Sequence, residues 1–266
     1  MKLRIVPAGT GLQWVKLGVK TFFRQPLALS GLFFMFMAAV SVLSIIPILG
    51  TALSAVLTPA ANLGLMAASR EASAGRFPMP STLVSAFRGS REQKRAMLVL
   101  GSIYAGCLLL VLATAALLGP AAPVGEVETS VTPQMMQDLL GSPGLWIALL
   151  VYIPVLMMFW HAPALVHWHG VSPVKSLFFS ALACWQNKGA LFIFGLGWMG
   201  VFLLSGLVIS LLGSALGGVQ ALNIIMYPAV LFVASMFYAS VYFSFRDSFD
   251  TDPAPDELPS PTGDPT

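Results

Sequence analysis

The chain has 266 residues, of which 57% are hydrophobic and only 9% are charged, whereas charged residues make up about 25% of an average soluble domain. This composition excludes a water-soluble globular protein, because so few charges could not keep its surface hydrated. The 14 basic residues do not indicate a nucleic-acid partner, because they flank the apolar segments as the cytoplasmic loops of membrane proteins do.

The N-terminal region is basic and precedes the first long apolar segment. Residues 12–25 place Lys16, Lys20 and Arg24 opposite apolar positions at helical spacing, which predicts an amphipathic helix. The apolar segment that follows has the length of a full membrane span, about 20 residues. We therefore interpret it as an uncleaved first membrane helix rather than as a signal peptide.

Four long segments, 27–69, 96–125, 139–174 and 189–245, contain no Asp, Glu, Lys or Arg. A charge at the centre of a spanning helix costs about 2.5–3.5 kcal/mol, so such gaps are typical of membrane spans. The first and last segments are long enough for two spans each. We predict an all-α polytopic membrane helix bundle with six transmembrane helices, over residues 27–46, 48–67, 96–118, 144–166, 189–212 and 222–245.

The placement of the basic residues predicts the orientation of this bundle. With six spans, all 14 basic residues fall on one side of the membrane, and the positive-inside rule makes that side the cytoplasm. An arrangement with five spans would divide the basic residues between the two sides. Both termini are therefore predicted to be cytoplasmic.

Two segments outside the spans are sizeable. The outer loop 119–143 is acidic and rich in proline, and Thr132-Pro133 followed by Gly141 predicts a short helix over 133–140. The tail 247–266 has six acids, five prolines and no base. Because such a segment cannot bury enough apolar surface to fold, we predict a disordered cytoplasmic tail.

An internal repeat appears when the chain is shifted by 95 positions. The residues Gly75, Pro78, Ser81, Ser85 and Ala86 then fall on identical residues, Gly170, Pro173, Ser176, Ser180 and Ala181. Each copy is a proline-bearing span, a Gly-x-x-Pro turn and an amphipathic segment that leads into the next span. With residues 12–25 as a third leading helix, the sequence predicts three hairpins, each preceded by a cytoplasmic interfacial amphipathic helix.

The leading helices have a composition that suits the membrane interface. Aromatic and aliphatic side chains enter the acyl boundary, while Lys and Arg meet anionic head groups. In the third unit Phe178, Phe179 and Trp185 would do so, flanked by Lys175 and Lys188. Topological anchoring explains this pattern, and recognition of anionic lipids at the cytoplasmic face is the alternative.

Few polar side chains in the spans are candidates for function. His161 is the histidine within a span, and intramembrane ionisable groups are functional candidates, although His161 could simply bond a neighbouring carbonyl. Asn62 and Tyr152 are further polar groups, and Pro59 and Pro154 free backbone carbonyls that could line a cavity. Packing and helix kinks are the alternative explanation for all five.

Other motifs give no support to a catalytic, cofactor or metal site. Residues 195–200 match G-x-G-x-x-G, but they lie inside an apolar span, without the preceding strand and the acid that a dinucleotide site needs. The glycines fit close helix packing better. His167 and His169 lack further ligands nearby, and Cys107 and Cys184 are best explained by packing. We expect no cofactor and no metal.

Parts of the sequence resemble an uncharacterised family of six-span bacterial inner-membrane proteins. The resemblance covers residues 5–246 and rests on the break at Pro47, the turn Gly75-x-x-Pro78 and the pattern Trp14…Phe22-Phe23-Arg24-x-Pro26-Leu27. It implies a location in the bacterial cytoplasmic (inner) membrane and no established substrate. More distantly, the chain is similar to the membrane domains attached to some glycerophosphodiester phosphodiesterases, but it lacks their catalytic domain, so that activity is not implied.

The sequence favours a non-enzymatic scaffold, assembly or regulatory protein with a membrane-protein partner, because intramembrane charges and catalytic constellations are missing. The alternative is a transporter or lipid-handling protein for a neutral or apolar solute, which the repeat and the proline-bearing spans favour. A polar cavity around His161, Asn62 and Tyr152 would favour this alternative or an intramembrane enzyme. A solid apolar core would favour the scaffold.

Overall fold

A computed structural model describes residues 2–118, 133–216 and 218–249. Within these ranges the chain forms nine α-helices and one 3₁₀ helix, and the extended backbone is limited to one isolated bridge. The elements in chain order are α1 (Thr10–Arg24), α2 (Pro26–Ser44), α3 (Leu49–Ser73), the 3₁₀ helix (Pro80–Phe87), α4 (Arg91–Leu118), α5 (Pro133–Gly141), α6 (Pro143–His169), α7 (Pro173–Gln186), α8 (Lys188–Leu216) and α9 (Val219–Ser248).

Six of these helices (α2, α3, α4, α6, α8 and α9) are long and apolar enough to cross a membrane. Each of them overlaps one predicted span. The prediction of an all-helical protein with six membrane-length helices is therefore confirmed. The central helix is α3, which packs against α2, α4, α6 and α9.

Local sequence signals explain where several helices begin and end. Proline occupies the first turn of α2, α6 and α7, where its missing N–H would have no helical partner anyway. At the start of α6 the hydroxyl of Ser142 accepts a hydrogen bond from the N–H of Leu145. Gly75 and Gly170, which follow α3 and α6, have φ angles of 78° and 63°, a left-handed conformation that favours glycine.

The segment between α3 and α4 differs from the prediction. The second unit has no amphipathic α-helix there but the eight-residue 3₁₀ helix. The reason is that Pro78 precedes this helix, Pro80 is its first residue, and a capping box starts α4 directly after it. In this box the N–H of Gln93 donates to the hydroxyl of Ser90 at 3.2 Å, and the N–H of Ser90 donates to Oε1 of Gln93 at 2.9 Å. Too few residues remain for a longer helix.

The short elements pack in a cyclic order. The 3₁₀ helix packs against α3, α7 packs against α6, and α1 packs against α9. The 3₁₀ helix and α7 therefore each contact the long helix that precedes them in the chain. Helix α1 has no preceding helix and contacts the last long helix, α9, so the first and last parts of the described chain pack together.

Helix α1 is buried in protein more deeply than an interfacial helix would be. Its apolar face, with Trp14 and Phe22 at 0% and 1% exposure, lies against α8 and α9. A Cβ added to Gly11 would lie 2.0 Å from the carbonyl oxygen of Ala190 in α8. The expectation that this aromatic face enters lipid is therefore wrong for Trp14 and Phe22, because close approach at the α1 glycines brings the neighbouring helices over them.

The helix ends that carry the basic residues lie together. Arg24 at the end of α1 donates a hydrogen bond to the carbonyl of Ser73 at the end of α3. The guanidinium of Arg70 lies 5.7 Å from the ring centroid of Trp168 near the end of α6. Gln93 near the start of α4 donates to the carbonyl of His167 at 3.3 Å. Four helix ends thus meet on one side of the bundle.

The N-terminal segment and the end of α9 are joined by a clasp, which we define as Leu3–Val6, Asn187 and Asp247–Phe249. Leu3 and Phe249 form a β-bridge, and the N–H of Arg4 donates to the carbonyl of Ser248 at 2.9 Å. Asn187 accepts from the N–H of Val6 at 2.9 Å and donates to the carbonyl of Arg4 at 3.0 Å. The predicted tail boundary at 247 is therefore corrected: Asp247, Ser248 and Phe249 belong to the folded domain because the clasp uses them, and the rest of the tail lies outside the described residues.

The end of the bundle opposite the basic helix ends includes α5, which covers the short helix predicted over 133–140. The hydroxyl of Ser142 donates to the carbonyl of Leu139 at 2.8 Å, and the indole of Trp146 donates to the carbonyl of Leu140 at 2.8 Å. These contacts join α5 to the start of α6. The remainder of the predicted outer loop, 119–132, lies outside the described residues.

Candidate functional site

Three tyrosines of different helices lie close enough to one another for their charges to interact. They are Tyr104 of α4, Tyr152 of α6 and Tyr238 of α9. The Tyr104 ring packs edge-on against Phe159 at 4.9 Å, and the Tyr238 ring packs against Phe33 at 5.4 Å. We call Tyr104, Tyr152 and Tyr238 the tyrosine site.

The hydroxyls of the tyrosine site make no hydrogen bond to another protein group among the described residues. Each ring is only partly buried. A polar group that is taken out of water without a partner costs about 1–3 kcal/mol, and hydrocarbon offers no partner either. The three hydroxyls therefore keep their capacity to donate and accept hydrogen bonds.

Asn62 of α3 adds a fourth polar group near the middle of the membrane-length helices. Its Oδ1 atom is buried and has no hydrogen-bond partner within the described part of the chain. One turn further along α3, Leu65 packs in the apolar cluster to which Tyr238 also belongs. Asn62 and the three tyrosines each lie at least nine residues from either end of their helices, which corresponds to about 13 Å or more.

His161 lies apart from the tyrosine site. It is nine residues beyond Tyr152 on α6, or about 13 Å along the helix axis, and its side chain is 1% exposed. Its ring packs against those of Phe245 and Phe249, at centroid distances of 5.8 and 5.5 Å, and its Nδ1 atom has no hydrogen-bond partner among the described residues. The structure therefore does not bring His161 together with Tyr152.

Helix α7 covers His161 and completes the backbone of α6 at this point. The backbone N–H of His161 donates to the hydroxyl of Ser180 at 2.9 Å, and the same hydroxyl donates to the carbonyl of Met157 at 2.8 Å. The thiol of Cys184 lies 3.6 Å from that carbonyl. The hydroxyl of Ser180 in α7 thus bridges a backbone donor and a backbone acceptor of α6. This is a structural role.

The two candidate prolines occupy different environments. Pro59 is buried in α3, close to the point where a Cβ on Gly101 of α4 would lie 1.9 Å from the carbonyl oxygen of Val56. Pro154 of α6 is exposed on the outside of the bundle. Pro59 thus lies where two helices approach closely, whereas Pro154 faces the surroundings and not the tyrosine site.

Other buried hydroxyls satisfy indole groups at the crossing of α6, α8 and α9. Trp160 donates to Ser244 at 3.0 Å, and Trp198 donates to Ser240 at 3.1 Å. Among the described residues no three His, Cys, Asp or Glu side chains come close enough together to hold a metal ion. The G-x-G-x-x-G residues lie within α8.

Two grooves open between neighbouring helices, and both are lined mainly by apolar side chains. One, of about 300 Å³, lies between α2, α3 and the 3₁₀ helix and includes Phe36, Leu57 and Leu83. The other, of about 330 Å³, lies between α8 and α9 and includes Gly206, Ser210 and Met226. Neither groove includes His161, Asn62 or Tyr152.

Sequence reasoning missed Tyr238 and did not connect the tyrosines. Tyr238 stands in the aromatic stretch of α9 that includes Phe237 and Tyr242, which is also the composition of an interfacial aromatic belt. The three-dimensional structure places this tyrosine close to Tyr104 and Tyr152. Tyr227, another tyrosine of α9, is 74% exposed.

Comparison with known proteins identifies one relative across the whole chain. A probable inner membrane protein of Burkholderia thailandensis is 37% identical over 268 aligned positions, which cover 98% of each chain. No protein-family model matches the sequence, and no solved structure matches it. This similarity supports an uncharacterised family of inner membrane proteins, and it gives no support to the resemblance to phosphodiesterase-linked membrane domains.

Proposed function

The chain belongs to the family of the probable inner membrane protein of Burkholderia thailandensis, and on that premise we propose that it is a non-enzymatic multi-pass protein that binds a neutral polar or amphipathic molecule at the tyrosine site. Such a protein would transport or handle a neutral solute or lipid. The observation that supports the proposal is the proximity of three partly buried tyrosines whose hydroxyls make no hydrogen bond to protein among the described residues.

The chemistry of the site favours an uncharged ligand. Each tyrosine hydroxyl can donate one hydrogen bond and accept others, and the Asn62 carboxamide oxygen can accept. The spans contain no Asp, Glu, Lys or Arg between residues 27 and 69 or between 189 and 245, so a charged ligand would lack a counter-charge in a medium where charges are costly. A hydroxyl, amide or ester group on a largely apolar molecule would match these partners.

The proposed three-unit organisation also supports a binding role. Gly75 and Gly170 of the repeat share a left-handed conformation, and the short elements pack in the cyclic order described above. Three hairpins of the same orientation would be related by an axis along the membrane normal. The proline-bearing helices α3, α6 and α9 contribute Asn62, Tyr152 and Tyr238, so the site lies where the three units would meet.

We propose further that both termini are cytoplasmic. The helix ends that carry the basic residues meet on one side of the bundle, and the positive-inside rule predicts that this side faces the cytoplasm. Alkaline phosphatase fused after residue 249 is expected to be inactive, and the same reporter inserted between residues 118 and 133 is expected to be active. The reverse pattern would overturn the orientation.

The binding proposal is tested by extracting the full chain into lipid discs without detergent and identifying bound small molecules by mass spectrometry. A triple variant, Tyr104→Phe, Tyr152→Phe and Tyr238→Phe, keeps the rings and removes only the hydroxyls. We expect a neutral molecule enriched over bulk lipid in the wild type and lost in the triple variant. The control is Tyr227→Phe, whose hydroxyl lies on an exposed ring. Equal contents in all three proteins would overturn the proposal.

A scaffold or assembly role is the second candidate, and the exposure of α8 favours it. Only 11% of its apolar window is buried, and the groove beside it exposes Gly206 and Ser210, small residues of the kind that let another membrane helix approach closely. In the same extraction, a stoichiometric protein partner that is lost when residues 250–266 are removed would favour this role. A protein that emerges with one neutral ligand would favour the first.

A further inference from the structure

Helix α7 lies outside the six membrane-length helices and has an unusual distribution of side chains. Its small and hydroxyl-bearing residues are buried against α6: Ser176, Ser180, Ala183 and Cys184. Its large apolar side chains point away from the protein, with Val174, Phe178 and Trp185 exposed at 70%, 63% and 62%. An amphipathic helix on the surface of a water-soluble protein buries its large apolar side chains. Helix α7 does the reverse, because it exposes them and buries its small and hydroxyl-bearing ones.

The exposed side chains form one continuous stripe. Val174, Phe178 and Trp185 are spaced by four and seven residues, which places them on the same face of an α-helix. An exposed aromatic stripe of this kind is unfavourable in water. It is favourable at the boundary between head groups and acyl chains, where aromatic rings are enriched.

A cation stands at each end of the stripe. Lys175 is three residues before Phe178 and shares its face, and the ammonium of Lys188 lies 4.9 Å from the centroid of the Trp185 ring. No Asp or Glu occurs between residues 139 and 246, so the sequence around α7 supplies no acid to pair with either lysine.

Helix α1 does not offer the same surface, although its composition is similar. Of its three aromatic rings, Trp14 and Phe22 are buried against protein, and Phe23 alone is exposed, at 66%. In α7, by contrast, the rings of Phe178 and Trp185 are both exposed. The structure thus distinguishes two leading helices that the sequence could not distinguish.

We propose that the α7 stripe, defined as Val174, Lys175, Phe178, Trp185 and Lys188, binds an anionic phospholipid of the leaflet that contains the basic helix ends. The lipid phosphate would contact the ammonium group of one of these lysines, and an acyl chain would lie along the neighbouring ring, Phe178 or Trp185. One phosphate cannot contact both lysines, because they stand at opposite ends of the 14-residue α7, about 20 Å apart. This site is independent of the tyrosine site and stands whether or not that site binds a ligand.

The test titrates the purified full chain in detergent micelles with phosphatidylglycerol and counts bound lipids by native mass spectrometry. The variant is Lys175→Gln with Lys188→Gln, and the matched control is Lys94→Gln with Arg95→Gln, which removes the same charge from the start of α4. We expect the α7 variant to bind phosphatidylglycerol roughly tenfold more weakly, and the control and the affinity for phosphatidylcholine to stay unchanged. Equal weakening in both variants would show a non-specific charge effect and overturn the proposal.

A second measurement locates the lipid. Brominated phosphatidylglycerol quenches tryptophan fluorescence at short range, and the contribution of Trp185 is the difference between the wild type and Trp185→Phe. We expect this contribution to be quenched more by brominated phosphatidylglycerol than by brominated phosphatidylcholine. Equal quenching by both, or loss of a co-purifying protein in the α7 variant without any change in lipid binding, would overturn the proposal.

Discussion

The indole of Trp14 donates a hydrogen bond of 2.9 Å to the carboxylate of Asp247, 233 positions away in the chain. Trp14 lies at the centre of α1, and Asp247 is the last acid of α9. The second oxygen of this carboxylate accepts a hydrogen bond from Arg246 at 2.8 Å. The first helix is thus fixed to the C-terminal end of the last helix. The fold therefore depends on residues at the end of α9, such as Asp247.

This relationship predicts where the chain can be shortened. Removal of residues 250–266 is expected to leave the melting temperature in detergent unchanged, because the clasp is retained. Removal of residues 247–266 is expected to lower it sharply, because Asp247, Ser248 and the buried Phe249 are lost. Loss of a buried Phe side chain alone costs about 3–5 kcal/mol. Equal melting temperatures of the two truncated proteins would contradict the structure of the clasp.

A related prediction concerns Asn187, which is 2% exposed. Asn187→Ala leaves the N–H of Val6 and the carbonyl of Arg4 without their side-chain partner, which costs about 1–3 kcal/mol for a buried group. We expect a lower melting temperature and faster proteolysis of the N-terminal segment. The control is Gln186→Ala, because this neighbour is exposed and should have little effect. If both substitutions behave alike, Asn187 does not hold the clasp.

The packing of α1 predicts opposite effects of one substitution at different glycines. A Cβ on Gly18 would lie 2.8 Å from the backbone Cα of Ser240, so Gly18→Ala must separate α1 from α9, and overpacking of this kind costs about 1–3 kcal/mol. Gly31 in α2 has no atom within 4 Å of an added Cβ. Gly31→Ala should be neutral or stabilise the helix by up to about 1 kcal/mol. Thermal unfolding of both variants checks the prediction, and equal destabilisation would refute the close crossing.

The environment of Cys184 predicts a dependence on pH. Burial raises the pKa of the Cys184 thiol to about 12, so the neutral thiol is favoured in the folded protein and its reactive thiolate is scarce at neutral pH. In a Cys107→Ser background, we expect no maleimide labelling at pH 7 until the protein is denatured. Because the folded pKa is raised, the stability this group contributes is present below its ordinary pKa and is lost as the pH rises towards 12.

The labelling experiment has a direct control. Gln186→Cys, in a background without both natural cysteines, places a thiol on the exposed side of the same helix end. This thiol should react readily in the folded protein. Rapid labelling of Cys184 under the same conditions would show that α7 separates from α6 and that the burial is not permanent.

The spans could be predicted from the sequence because their signal is compositional. Long segments without charges and of sufficient length identify membrane helices, whereas the side of each loop stays a prediction from its basic residues. The rotation of each helix could not be predicted, because a helix such as α8 is apolar on all sides and its sequence favours no face. The proximity of Tyr104, Tyr152 and Tyr238 depends on that rotation.

Contacts between distant parts of the chain could not be predicted from the sequence either. The amphipathic pattern of α1 fits a lipid surface as well as the groove between α8 and α9, and only the close approach at Gly11 and Gly18 decides between them. Asp247 looked like the first acid of a disordered tail because its partner, Trp14, is at the other end of the chain. Composition describes each segment, whereas the clasp depends on pairs of segments.

The internal repeat provides a last prediction, for His161. A shift of 95 positions places Met66 of α3 at the equivalent position, and both side chains are 1% exposed. The Nδ1 atom of His161 lacks a partner within the described residues, and an unpaired buried polar atom costs about 1–3 kcal/mol. His161→Met should therefore keep or raise the melting temperature, because it removes this cost and fills the space beside Phe245 and Phe249. His161→Ala should lower it, because it leaves a cavity. If His161→Met lowered the melting temperature as much as His161→Ala, the imidazole would have to make a stabilising interaction of its own. His161 would then remain a functional candidate.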